Sequence, residues 1–173
     1  MSSDEWQIGL RLQSVTYPKT FVARMAKANC WSLIQVDVEN FKAINNATVM
    51  MSPGFTVITG PNGSGKSCLL ESISFGLGAC SAELRVSNLS ELCGNDCPGQ
   101  RIRVNLRFSN GLVSLTIGSS LVDSMRLYLV GNSKVTKTKF TQTLTETLGF
   151  FKESISWNIS QRAVQDIVSY CKN

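Results

Sequence analysis

The chain has 173 residues, 43% of them apolar and 17% charged, about one domain's length with enough apolar material to bury a core. A mean hydropathy of +0.03 and the absence of any repeat or compositional run disfavour disorder, coiled coil, solenoid and collagen. No run approaches the ~18 apolar residues of a membrane-spanning helix, so no membrane is expected among the partners. Seventeen Lys and Arg against twelve Asp and Glu leave a net charge of +5, which favours a polyanionic partner without requiring one.

Histidine is absent, which removes imidazole acid/base chemistry, the Ser/His/Asp triad and His metal ligands together. The six cysteines are Cys30, Cys68, Cys80, Cys93, Cys97 and Cys171. With no secretory signal before them and no second close pair beside Cys93 and Cys97 to complete a zinc site, they are expected to be free intracellular thiols. Residues 1–30 combine Arg11, Lys19, Arg24 and Lys27 with Asp4 and Glu5. The basic residues resemble a transit segment and the acids argue against one, so the stretch is read as an N-terminal extension of unassigned role.

From Leu33 onward, Ile34, Val36 and Val38 alternate with Gln35, Asp37 and Glu39, the period-two pattern of a half-buried strand. Asn45 and Asn46 are expected to turn the chain into a second strand, Ala47 to Met51. After Pro53 and Gly54, Phe55 to Thr59 reads as a short, buried, central strand. Leu69, Ile73 and Leu77, widened by Leu70, then predict a helix that Gly76 and Gly78 end.

Beyond it, Ile102, Val104, Leu106 and Phe108 face one way and Arg101, Arg103, Asn105 and Arg107 the other. Asn110-Gly111 predicts a type I′ hairpin into Leu112 to Ile117. Met125 to Val130 and a strand around Val135 form a second hairpin about Gly131-Asn132. The middle third is thus an antiparallel meander. Phe140, Leu144 and Leu148 mark an amphipathic helix closed by Gly149. Ile155, Trp157 and Ile159 mark a last strand, and Val164, Ile167 and Val168 a last helix.

Gly60-Pro61-Asn62-Gly63-Ser64-Gly65-Lys66-Ser67 satisfies GxxxxGK[ST] directly after a predicted strand and before a predicted helix, the context a phosphate loop requires. Its glycines let backbone N–H groups converge on an anion at a helix N-terminus. Lys66 supplies a point charge for the β- and γ-phosphates of ATP, and the Ser67 hydroxyl a ligand for Mg²⁺. The alternative is a chance glycine turn, which the correctly ordered flanks make rarer.

The flanks narrow the class. Glu39-Asn40-Phe41-Lys42, the loop itself, Leu70-Glu71-Ser72-Ile73-Ser74-Phe75-Gly76-Leu77-Gly78, Leu84-Arg85-Val86-Ser87-Asn88-Leu89 and Asn158-Ile159-Ser160-Gln161-Arg162-Ala163-Val164 together resemble the N-terminal ATPase half-head of the SMC (structural maintenance of chromosomes) family. The resemblance spans about residues 33 to 168, closest to the cohesin type. It implies an α/β P-loop NTPase fold, an ABC-type half-head with an antiparallel β subdomain, over residues 31–173.

By the same resemblance, Gly60 to Ser67 hold ATP, and Gln161 reaches Mg²⁺ and the attacking water. Lys42 lies near the nucleotide, and Arg85 approaches the phosphates. Each has a plainer reading, a solvated strand end for Gln161 and a surface-covering stem for Arg85 and Lys42. Cys68 stands where the family usually has Asn, and Arg162 replaces the usual glycine after the Q-loop glutamine.

No apolar run ends in Asp-Glu and no Leu-Ser-Gly-Gly occurs. The family carries those pieces in a C-terminal half beyond a coiled coil and hinge, and this chain is expected to stop where the coiled coil begins. Nucleotide binding without turnover by this chain alone is therefore expected. The implied partners are a C-terminal head half, a second SMC-type head and DNA. The implied location is the nucleus and chromosome in a eukaryote, or the cytoplasm and nucleoid otherwise.

Arg101, Arg103 and Arg107, with Lys134, Lys137 and Lys139, are the candidate DNA surface, binding phosphates without sequence preference. The plainer reading is a solvated sheet face. Alternatives to the whole assignment are a RecF or RecN type DNA-repair ATPase fragment and a non-catalytic half-head interaction module. A small-molecule P-loop kinase is disfavoured by the meander.

Overall fold

The computed structural model describes residues 11–14, 30–52, 56–94 and 101–150. The expected last strand and last helix, and Gln161 with them, lie outside these residues.

Six strands form one antiparallel sheet: β2 (Ser32–Phe41), β3 (Ile44–Met50), β5 (Ile102–Ser109), β6 (Ser114–Val122), β7 (Met125–Val130) and β8 (Ser133–Val135), in the order β3-β2-β5-β6-β7-β8. A two-stranded sheet pairs β1 (Arg11–Ser14) with β4 (Thr56–Thr59), also antiparallel. Residues within the expected N-terminal extension thus supply the partner of the strand that leads into the phosphate loop. Among the described residues every pairing is antiparallel.

Alternation dictates the core. Val36 and Val38 of β2, with Ile102, Val104, Leu106 and Phe108 of β5, face inward and are buried. They meet α1 (Lys66–Gly76). The helix α2 (Lys137–Gln142) adds buried Phe140 beside Tyr128, ring centroids 5.0 Å apart. Its continuation through Thr143–Thr147 widens to a π turn before Gly149 takes φ 72°. Among the described residues no helix is long and apolar enough to cross a membrane.

Several expectations are corrected. The β2–β3 turn is Lys42-Ala43, with Phe41 opposite Ile44, so Asn45 and Asn46 lie inside a strand rather than turning the chain. Asn40 and Lys42 take left-handed conformations (φ 54° and 51°) that reverse the chain three residues earlier than turn propensity suggested. Residues 56–59 are half-buried or exposed rather than central, because β4 has β1 as its partner in place of a parallel sheet.

The Asn110-Gly111 hairpin has a four-residue loop, not type I′. The Asn110 side chain accepts the N–H groups of Leu112 and Val113, both at 3.0 Å, which builds the turn from a side chain rather than from two left-handed residues. That geometry occurs instead at Asp123-Ser124 (φ 48° and 65°), between β6 and β7.

The buried side of α1 also differs from the predicted stripe. Leu69, Ser72, Phe75 and Gly76 are buried, whereas Leu70 is 52% exposed. Gly76 takes a sheet-facing position because the helix there lies too close to Leu106 and Val104 of β5 to admit a side chain.

Cys68 and Cys80 are free thiols, but Cys93 is disulfide-bonded. Free-thiol chemistry is therefore corrected at that position. Residue type and spacing gave no sign of which sulfurs the fold would bring together.

Candidate functional site

The site begins where β4 ends. Gly60 to Gly63 are exposed at the surface, and Ser64 N–H closes a tight turn on the Pro61 carbonyl at 3.3 Å. Gly63 and Gly65 take φ 82° and 88°, the left-handed region where a side chain would be strained. A β-carbon on Gly63 would meet nothing within 4 Å, so the loop keeps open space on that side.

Gly65 is the N-cap of α1. No side chain caps the helix there, and its first turn contains no acid. The first N–H groups of a helix lack intrahelical acceptors, and the aligned peptide dipoles concentrate positive potential at that end. An uncapped N-terminus without local carboxylates is suited to an external anion.

The Lys66 ammonium folds back over the loop, donating to the Gly60 carbonyl at 2.8 Å, the Pro61 carbonyl at 2.7 Å and Ser64 Oγ at 3.5 Å. A concentrated cation thus sits on the same loop as the uncapped helix end. Ser67, in the first turn, is exposed. This donor set fits a nucleoside triphosphate with Mg²⁺. Gly60 to Lys66 would hold the phosphates, and the Ser67 hydroxyl would offer the ion a hard oxygen ligand.

Lys42 is brought to the flank of α1, where its ammonium pairs with Glu71. Glu71 lies five residues beyond Lys66, roughly 7.5 Å along the helix axis. Arg85 is exposed in the turn that follows α1 and adopts φ 57°. Among the described residues, two of the five non-glycine residues in left-handed conformation are thus the candidates Lys42 and Arg85. Such strain persists where surrounding structure enforces it, and it clusters at functional sites.

Sequence reasoning missed Glu71, Phe75 and Arg126. Arg126 of β7 faces the core. It donates to the Ala79 carbonyl at 2.5 Å, to the Phe75 carbonyl, and to Ser119 Oγ at 3.3 Å. Its guanidinium carbon lies 4.4 Å from the Phe75 ring centroid and 5.3 Å from that of Tyr128. Burial lowers its pKa below the ordinary arginine value, against opposing contributions from Tyr128, Cys80 and Glu83. The available signal was a negative one: the last turn of α1 carries no basic residue of its own.

The arginine face of β5 is less basic than its sequence. Register puts Glu39 opposite Arg103 and Asp37 opposite Asn105 on one side. On the other side β6 presents Ser120, Gly118 and Thr116, and then β7 presents Leu127 and Leu129. Arg101 and Arg107 are exposed, whereas Arg103 is half-buried with its Nε sequestered.

The family described as the RecF/RecN/SMC N terminal domain matches residues 32–156. "Structural maintenance of chromosomes protein 1" of Caenorhabditis elegans is 30% identical over 147 residues, covering 79% of this chain and 11% of that protein. "Chromosome partition protein Smc" of Synechocystis is 41% identical over 69 residues, 39% of this chain and 6% of that protein. This chain therefore spans about a tenth, or less, of those relatives.

Among solved structures, one titled "Structure of the recombination mediator protein RecF-ATP in RecFOR pathway" shares the fold. Its TM-score is 0.51 at 23% identity, covering 64% of this chain and 29% of that one.

Proposed function

This chain belongs to the RecF/RecN/SMC N-terminal domain family, and from that premise we propose that it is the nucleotide-binding lobe of an SMC-type ATPase head that binds Mg·ATP. The observation that carries the reading is the convergence of the Lys66 ammonium and the uncapped N-terminus of α1 on one glycine loop.

On binding, Lys66 exchanges the neutral Gly60 and Pro61 carbonyls for anionic phosphate oxygens, so that the acceptor as well as the donor carries charge and the contact is stronger. The N–H groups of the loop and of the first turn of α1 orient the phosphates, and Ser67 offers its hydroxyl to the ion. Mg²⁺, when bound, offsets the charge on the phosphate oxygens.

Orienting an attacking water needs further groups. Gln161 is the candidate within this chain, and a C-terminal head half is the expected source of the acidic residues. The chain alone therefore binds ATP and does not turn it over. Lys42 and Arg85 are proposed as neighbours of the nucleotide, Lys42 acting through its pair with Glu71.

Two such heads with ATP between them, coupled to non-specific DNA contact through Arg101 and Arg107, form the assembly in which this lobe would work. Chromosome or nucleoid is its proposed place. The RecF-type alternative shares the loop, and the SMC1 relative, matched over 79% of this chain, favours the SMC reading.

The test is calorimetry of Mg·ATP with wild type and Lys66→Ala, each with and without a C-terminal half-head supplied in trans. Binding that requires Lys66 and tightens with the added half supports the proposal. Lys66-independent binding, or Lys66-dependent phosphate release by the purified chain alone, defeats it.

A further inference from the structure

Among the described residues, the phosphate loop is tied to the body of the protein through the strand before it, whose Ile58 packs against the core, and the helix after it. Its strand β4 pairs with β1 and not with the six-stranded sheet. The loop's second connection to the sheet is α1, a rod of 11 residues, about 16 Å long. The orientation of the N–H groups at its N-terminus follows from where the rest of the rod is held.

The antiparallel sheet holds that rod at two levels. Near its middle, Lys42 from the β2–β3 turn pairs with Glu71. Toward its end, the buried Phe41 ring packs on Phe75, centroids 5.7 Å apart, and Arg126 of β7 grips the terminus itself.

That terminus is a Schellman closure: Gly78 N–H bonds to the Phe75 carbonyl at 3.0 Å and Ala79 N–H to the Ser74 carbonyl at 3.0 Å, with Gly78 at φ 92°. The arginine fork spans the closure, taking the Phe75 carbonyl on one arm and the Ala79 carbonyl on the other, while the Phe75 ring lies under its plane. A cation there complements the negative end of the helix dipole. The two-pronged geometry is specific to a guanidinium, because a lysine ammonium is a point charge that lacks the rigid fork.

We propose that Arg126 is a positioning residue for the phosphate loop, fixing the roll and height of α1 from its far end and so coupling strand β7 to nucleotide affinity. This rests on the nucleotide-binding reading of the loop, and the experiment separates the two. Arg126→Met, Arg126→Lys and Arg126→Ala are made in the full chain. Amide hydrogen exchange across residues 66–76 is measured without nucleotide, and Mg·ATP affinity is measured at a temperature where circular dichroism reports a folded chain.

In Arg126→Met, faster exchange is expected to reach Leu69 and Leu70 in the N-terminal half of the helix, with Mg·ATP affinity lowered about tenfold. Arg126→Lys should recover only part of the affinity, and non-denaturing guanidinium should restore it in Arg126→Ala. A role confined to stability would lower the melting temperature while leaving the affinity of the folded protein unchanged.

Exchange changes confined to residues 74–76, or unchanged affinity in folded Arg126→Met, overturn the proposal. If Arg126→Met does not fold, Arg126→Lys is judged by the same two readouts. If wild type shows no Lys66-dependent binding, the nucleotide reading fails and the exchange pattern alone decides the positioning role.

Discussion

Gly76 and Leu106 are packed so closely that a β-carbon on Gly76 would stand 2.9 Å from both Cγ and Cδ1 of Leu106, and 3.0 Å from Val104 Cγ1. Both side chains are fully buried, so they have little room to move aside. Gly76→Ala gains helix propensity worth about 1 kcal/mol but overpacks a dense core, at about 1–3 kcal/mol. The expected net effect is a modest loss of stability, read as a lower urea midpoint at unchanged slope. Gly76→Val, with two further carbons to place, should lose more. A Gly76→Ala midpoint above wild type would show that the helix has room to retreat from β5.

Gly118 is more constrained. A β-carbon there would meet the Val104 carbonyl oxygen at 2.3 Å and Asn105 Oδ1 at 2.8 Å. The first of these is backbone, held in the ladder between β5 and β6, and it cannot rotate away. Gly118→Ala is expected to cost at least about 2 kcal/mol and to reduce the yield of folded protein, measured as the soluble fraction and urea midpoint. Shortening Asn105 to Ala in the same chain should recover little, because the backbone clash remains.

Local signals in the sequence were sufficient for the meander. The inward residues of β5 stand as alternation predicts, and Gly78 and Gly149 take the left-handed conformations expected where the helices finish. Turn placement was less legible, because a polar Asn-Asn pair resembles a turn whether or not the chain reverses there. The actual reversal depends on Phe41 being buried against Phe75, a contact made with a residue 34 positions away. The glycine loop before α1 was legible as a motif, since its pattern is local to eight residues. Arg126 was not: its carbonyl partners lie 47 and 51 residues earlier, and M-R-L-Y-L-V offers apolar residues to both faces of the strand.

The pair between Lys42 and Glu71 has side chains 28% and 36% exposed, so solvent screens it and its stabilising contribution is under about 1 kcal/mol. Glu71→Gln should therefore leave the urea midpoint nearly unchanged. If Lys42 serves the nucleotide, the same substitution releases its ammonium and alters Mg·ATP affinity, so the two measurements separate a structural pair from a functional one. A drop in stability of several kcal/mol would mean that the pair is buried far more deeply than its exposure indicates.

The cross-strand register also reshapes the test of DNA contact. Arg103→Glu would place two carboxylates opposite each other, because Glu39 faces it on β2, and the resulting repulsion would weaken the sheet itself. Arg101 and Arg107 are exposed, and Glu at these two positions tests the surface without that complication. The double variant is expected to bind duplex DNA more weakly at low salt, with a shallower salt dependence by about two phosphate contacts. Unchanged binding with an unchanged slope would remove this face from consideration.

Lys66 and Ser67 lie side by side, and under the proposed function they would answer to different parts of the ligand. The Lys66 ammonium now bonds only to its own exposed loop among the contacts described, so Lys66→Ala should change stability by no more than about 0.5 kcal/mol. Losing a charge-assisted hydrogen bond of about 1.5–3 kcal/mol should lower ATP affinity roughly ten- to hundredfold, with or without Mg²⁺. Ser67→Ala deletes a candidate ligand of the ion and leaves the phosphate nest intact. Its defect should therefore appear in Mg²⁺ and vanish when the metal is chelated. Calorimetry of both variants with Mg²⁺ and with EDTA gives four affinities, and the Mg²⁺-specific loss in Ser67→Ala is the decisive one. An equal loss under both conditions would mean that Ser67 shapes the loop rather than holding the ion.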